Sequence, residues 1–383
     1  MKSPRTTSKW LLLRLAGVAV AAALALWFAR RQTGTRPEAQ GFAPSAPGQN
    51  APKTTPPPMT RLSALQAACD ALRSASNAAA SRQQLAALRQ SLAAMPVNEA
   101  VAAIQQFLDA RTDTPTRLDF KLASNGLLDE APTLRTFLLD ELGRLDPAAA
   151  AEYSRVILSS MDSPDEWAVA LRNLALGDSS DAGRQLLAEK AAAMLQYAPW
   201  QQSPSAGYLE AFDVAVYLGG TGLLPTLSNL VSLTNNPGVA HASYLALDRL
   251  VINNPAAELA ALESDPSLMQ GRELTRANYF ARADVRDPQQ RQVLETYLLN
   301  PQIGAAEMNT FAGIYPNANF MISPNLLTPT PTPDHAALVS RDAESLAVAQ
   351  QWLGDPRFAK LQPVVAQIIQ RLQGFLNQTA GGH

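Results

Sequence analysis

Three histidines, one cysteine and a few clustered carboxylates are the side chains of this 383-residue chain that could do chemistry. His241, His335 and His383 are scattered, and no His-Glu-x-x-His run, Cys-x-x-Cys pair or second cysteine accompanies them. A zinc site needs three or four such ligands at fixed spacing, so no metal is expected. His241 precedes Tyr244 and Leu245 by one helical turn and reads as a packing or capping residue. His335 follows Asp334 at a predicted helix start and reads the same way. Cys69 sits on an apolar stripe, where a thiol is a small inert hydrophobe.

No Gly-x-Ser-x-Gly elbow is present, nor a Ser-x-x-Lys set with its partners. Gly219-Gly220-Thr221-Gly222 lacks the Gly-Lys-Ser/Thr ending of a phosphate loop, and it reads as a helix stop and turn. Asp162, Asp165 and Glu166 cluster, as do Asp178 and Asp181. Such acids could work as an acid–base pair or hold calcium, but helix starts also collect acids. No catalytic residue and no cofactor is assigned on this basis. Two candidate partner-binding surfaces remain. One is the aromatic loop of Tyr197, Trp200 and Tyr208 around Pro199 and Pro204; the other is the pair Phe320 and Met321.

The elements that would position these residues read as helices. Leu62, Leu65, Cys69 and Leu72 share one face, as do Leu85, Leu88, Leu92 and Met95. Val97, Val101, Ile104 and Leu108 follow, then Leu134, Leu138, Leu142 and Leu145, then Trp167, Ala170, Leu171 and Leu174. Near the C-terminus, Leu361, Val364, Val365, Ile368, Ile369, Leu372, Phe375 and Leu376 form another stripe. No sustained period-two run appears; Phe320-Met321-Ile322 is the one short strand candidate. Asn or Asp precedes Pro at 146, 236, 254, 265, 287, 300 and 355. An Asx side chain can accept a hydrogen bond from a free first-turn amide, and Pro at the next position needs no partner for its nitrogen. Each pair therefore predicts a helix start, as does Ser163-Pro164.

Short helices joined by short loops fit a compact bundle or a solenoid of helix pairs; leucine- and alanine-rich pairs over residues 131–176 and 221–263, opened by such starts, have units near the HEAT and armadillo range. On Leu134 to Ala175 and Leu223 to Leu262, the chain resembles the HEAT-like α-solenoid class across about residues 61–315. The resemblance implies an all-α solenoid of antiparallel helix pairs with an interaction surface, and names no catalytic residue. A Pro-rich loop at 316–333 interrupts this pattern, and helices are expected again over 334–378, before a short tail at 379–383. Tyr315 to Asp334 carries five prolines and no charge before Asp334, yet holds Phe320, Met321, Ile322, Leu326 and Leu327. A strap packed along the helices is expected; a partner-binding loop and a disordered segment are the alternatives.

The net charge of -2 conceals a split. All seven basic residues before position 37 lie in a stretch without acids, leaving the remainder with 24 basic and 33 acidic residues. That acidic body lacks the basic face a nucleic-acid binder needs, so no nucleic acid is expected as partner. Residues 1–9 form a basic tail. Residues 10–29 form an apolar run that as a helix would span roughly 30 Å, the hydrocarbon thickness of a bilayer. Trp10, Trp27 and Phe28 flank it as interfacial aromatics do. A single-pass transmembrane signal-anchor is expected. A cleaved signal peptide is the alternative, because the uninterrupted part from Leu15 is short. Flanking positive charge favours an inside N-terminus, which places the body on the periplasmic side of a bacterial inner membrane. If the segment is cleaved, the body is secreted. Residues 30–60, rich in Pro, Gly and polar residues, read as a disordered tether holding the body about 30 Å from the membrane. The functional expectation is a membrane-anchored interaction scaffold with a protein partner and no enzymatic activity. An envelope enzyme with carboxylate catalysis and a chaperone-like module with an apolar groove are the alternatives.

Overall fold

The computed structural model describes residues 61–233, 235–329 and 334–380. The basic tail, the apolar run 10–29 and the tether 30–60 lie outside the described residues. Among the described residues no helix is long and apolar enough to cross a membrane.

The described chain is all-α apart from one hairpin. It begins with α1 (Arg61–Ser74), α2 (Ala78–Ala93) and α3 (Val97–Asp109). The short strands β1 (Lys121–Leu122) and β2 (Leu128–Glu130) pair antiparallel. Next come α4 (Leu134–Leu145), α5 (Pro147–Ile157), α6 (Pro164–Gly177) and α7 (Asp181–Gln196). The short helices α8 (Ala198–Gln202), α9 (Ala206–Glu210) and α10 (Asp213–Leu218) lead to α11 (Leu224–Val231), α12 (Pro237–Asn253) and α13 (Pro255–Ser264). The described chain finishes with α14 (Glu273–Phe280), α15 (Pro288–Leu299), α16 (Ala305–Ile314), α17 (His335–Gly354) and α18 (Gln362–Ala380).

Local chemistry sets the starts. Asp146, Asn236 and Asp287 each accept a first-turn amide hydrogen bond, with Pro as the next residue. Ser163 does so for α6. Such caps stabilise a helix by ~1 kcal/mol each. Pro255 opens α13 without a side-chain cap from Asn254, and Asp355 caps a 3₁₀ turn. Two of the seven pairs do not start helices. Asp265 accepts from the Ser267 amide and Asn300 from the Gln302 amide, closing turns by the same short-range bond. The glycine run stops α10, with Gly219 and Gly220 both at positive φ.

The stretches 131–176 and 221–263, read as helix pairs, each hold three α-helices. Asp146-Pro147 breaks the first after α4, and Asn254-Pro255 breaks the second after α12. The strand candidate Phe320-Met321-Ile322 is irregular backbone; the strands lie at β1 and β2 instead.

Most of the main helix contacts are between neighbours or next-neighbours in chain order, led by α5 with α6, α17 with α18 and α11 with α12, and including α4 with α5 and α6, α13 with α15, α14 with α16, and α16 with α18; α6 also packs against α9, three helices on. One hydrophobic core runs through them. The approach of α5 and α6 is close enough to require Gly177, since a Cβ there would sit 2.7 Å from the Pro147 carbonyl carbon. Buried ion pairs join alternate helices. Arg172 of α6 meets Asp140 of α4 at 2.6 Å, with each side chain 1% exposed. Arg135 of α4 returns the contact to Glu166 of α6 at 2.8 Å, and Arg276 of α14 grips Glu307 of α16 at 2.7 Å. Isolated buried charges are costly, so each pair fixes which helix faces lie together.

Candidate protein-binding site

The segment from Tyr315 to Thr328 is a strap held at both ends, and residues 330–333 of the expected loop lie outside the described residues. At the near end Tyr315 is fully buried, and the Asn317 amide donates to the Ala281 carbonyl at 2.7 Å. Arg282 reaches the carbonyls of Asn317 and Asn319 while its other donors hold Asp248 on both oxygens at 2.7 Å. Arg341 of α17 adds a bond to the Asn317 carbonyl at 3.0 Å. At the far end Asp213, the first residue of α10, accepts from the Leu327 amide at 2.6 Å and the Thr328 amide at 2.9 Å. It also accepts from the Thr328 hydroxyl at 2.6 Å, and Arg249 of α12 pairs with it at 2.8 Å. Leu326 is buried with its backbone against Gly126 in the β1–β2 turn. That turn is fixed in its own right, because Arg172 donates to the Gly126 carbonyl at 2.9 Å.

Between these clamps the chain stands out. Met321 is 52% and Ile322 72% exposed, while Phe320 is half-buried. Phe320 borders a cavity with Arg282 and Arg341. Met321, Ser323 and Asn325 border a second cleft of about 320 Å³ over Glu210, Asp213 and His241. His241 stacks on Tyr244 with ring centroids 6.4 Å apart. Glu210 differs from its neighbour Asp213. Burial first, and the Asp213 charge second, push its carboxyl up to about 7, against a partial opposing pull from Arg249.

The structure does not gather the aromatic candidates onto one open surface. Trp200 packs edge-on to Trp167 at 5.5 Å, and Tyr208 continues the chain to Phe212 at 5.4 Å. Trp200 is 7% and Tyr208 0% exposed, so both are interhelix core. Half-buried Tyr197 sits against Trp200 at 5.0 Å. Phe320 and Met321 are adjacent on the strap and face different cavities.

The clustered acids hold structure together. Asp165 binds the Ser205 hydroxyl at 2.6 Å and the Gly207 amide at 2.9 Å, tying α6 to α9. Glu166 pairs with Arg135, Asp162 accepts from the Ser160 hydroxyl, and Asp178 caps its own turn through Ser180. Asp181 opens α7 behind the Ser180 cap. Cys69 is buried with its sulfur 2.9 Å from the Thr114 hydroxyl, and Asp334 rather than His335 caps α17. No group of three His, Cys, Asp or Glu side chains suited to a metal is found among the described residues. Sequence reasoning missed Asp213, Glu210 and Ile322 as parts of one site. No family model matches the chain, and neither a curated protein nor a solved structure is significantly similar to it.

Proposed function

We propose that the chain is an interaction scaffold held by residues 10–29 at the periplasmic side of a bacterial inner membrane. Its body, a solenoid of HEAT-like kind, offers the strap to a protein partner. The preponderance of contacts between helices one or two apart in chain order supports the solenoid reading. The observation that carries the function is the clamped strap, which projects the exposed apolar pair Met321-Ile322 between anchors at Asn317 and Asp213. A pre-ordered apolar segment loses little conformational freedom when it docks, and an uncharged one is cheap to desolvate.

The test places a photo-crosslinking amino acid at Ile322 in living cells. A discrete protein adduct is expected there and not from the same group at Val156, which is 54% exposed on α5. Equal labelling at both positions, or none at either, overturns the proposal. A reporter fused after His383 is expected to be active outside the inner membrane, and activity confined to the cytoplasm would reverse the orientation.

A carboxylate-dependent envelope enzyme is the second reading. Glu210 favours it, because a carboxyl raised to about 7 suits a general acid. Loss of function in Glu210→Gln with the Ile322 adduct intact would select that reading.

A further inference from the structure

A third cavity lies where the start of the strap meets α16, α17 and α18. It has a volume of about 540 Å³, and its apolar wall comes from Ile314, Pro316, Leu338, Val339 and Phe375. One fixed cation borders it. Arg371 of α18 rests over the Phe375 ring at 5.3 Å. Its Nε and Nη2 are buried and have no hydrogen-bond partner.

Those two nitrogens form the edge of a guanidinium that receives a carboxylate with two parallel hydrogen bonds. At three other arginines the same edge is filled, whereas Arg172 and Arg341 leave only Nε without a partner and bond through another nitrogen. Arg135 holds Glu166 with it at 2.8 and 3.0 Å. Arg276 holds Glu307 at 2.7 and 2.8 Å, and Arg282 holds Asp248 at 2.7 Å on each oxygen. Arg371 has the edge and lacks the carboxylate. Burial lowers its pKa, as expected of a cation stripped of water without full compensation. Asp342, on the same cavity wall, attracts Arg371 through space but makes no hydrogen bond to it, and burial raises its carboxyl.

We propose that this cavity binds the carboxylate of a single-chain fatty acid, its headgroup on the Nε–Nη2 edge of Arg371 and its chain along the apolar wall. The nearby Asp342 disfavours a doubly charged headgroup such as a phosphate monoester and leaves a monoanion as the fitting ligand. The site is independent of the strap tip proposed for the protein partner.

The experiment uses the full chain in lipid nanodiscs, a diazirine-bearing dodecanoate as probe, and mass spectrometry to map the adduct. Adducts are expected on residues 313–319, 335–342 or 371–375. Arg371→Met keeps the length of the side chain and removes the donors. It is expected to cut labelling by at least about tenfold, since both charge-assisted hydrogen bonds to the headgroup are lost. The same variant is expected to keep its thermal stability, because its buried donors have no partner to lose. Asp342→Asn is expected to strengthen labelling by removing like-charge repulsion. Leu338→Trp, which fills the cavity with Arg371 intact, is expected to abolish labelling and serves if Arg371→Met does not fold. Undiminished labelling in Arg371→Met, or equal labelling by diazirine-bearing dodecanol, overturns the site. So does a loss of stability in both Arg371→Met and Asp342→Asn without loss of labelling, which would make the two a plain ion pair.

Discussion

Substituting Asp213 by alanine should release the far end of the strap and leave the near end in place. The Asp213 side chain is 4% exposed, and Arg249 opposite it is 18% exposed. The carboxylate carries the Leu327 amide, the Thr328 amide, the Thr328 hydroxyl and Arg249. Hydrogen bonds to a charged group contribute ~1.5–3 kcal/mol each, but bonds that share one carboxylate do not add. Removing one partner of a buried pair costs about 3–5 kcal/mol. At a factor of ten per 1.4 kcal/mol, strap opening should become about 10²- to 4 × 10³-fold more frequent. Amide hydrogen exchange at Leu327 and Thr328 should accelerate by that factor, while the Asn317 amide, held by the Ala281 carbonyl, keeps its protection. Thr328→Val removes only the hydroxyl bond and should produce a change of about tenfold. Exchange at residues 327 and 328 that is unchanged in a folded Asp213→Ala protein would refute the clamp.

Packing and charge give three further expectations. Gly177→Ala should destabilise the body by about 1–3 kcal/mol, because the added methyl meets the Pro147 backbone and the Ala151 methyl at 2.8 Å. Gly374→Ala, in the interior of α18 with nothing within 4 Å, should instead stabilise by about 0.5–1 kcal/mol. Denaturant titration of the two variants checks both signs. Arg172→Met should cost about 3–5 kcal/mol in the same assay, since it strands Asp140 and unties the Gly126 carbonyl. The Glu210 carboxyl binds its proton more tightly in the folded chain, with its pKa raised from 4.5 to about 7. Its contribution is therefore fully present below about 4.5 and lost as pH rises through about 7. Glu210→Gln should flatten the fall in stability across that window, and melting curves recorded between those pH values test it.

The legible parts of this fold are the ones with local causes. A side chain capping an amide two or three residues away leaves its mark as Asx-Pro or Ser-Pro, and five of these pairs open α-helices. Asp265 and Asn300 show the limit of that signal, because the same bond closes a turn when no helix packs beyond it. The strap was visible as an uncharged, Pro-rich segment with too many apolar residues for open solvent. Its anchors were not, because Asp213 and Thr328 are 115 residues apart and neither has a revealing neighbourhood. The packing of the aromatic loop was hidden for a related reason. Tyr197, Trp200 and Tyr208 look like a surface cluster between short helices, yet Trp167 and Phe212 enclose Trp200 and Tyr208 from either side. The placement of Glu210 beside Asp213 is one turn of local spacing, but its burial beneath the strap is a long-range fact.

The most direct test of the scaffold reading is the in-cell crosslink from Ile322, made in the otherwise native chain and again in Asp213→Ala. One discrete protein adduct is expected in the first and its marked reduction in the second, because the released strap no longer holds Met321 and Ile322 in place. An adduct of equal yield in both, or no adduct in either, would contradict the claim that this clamped strap is where the protein meets its partner.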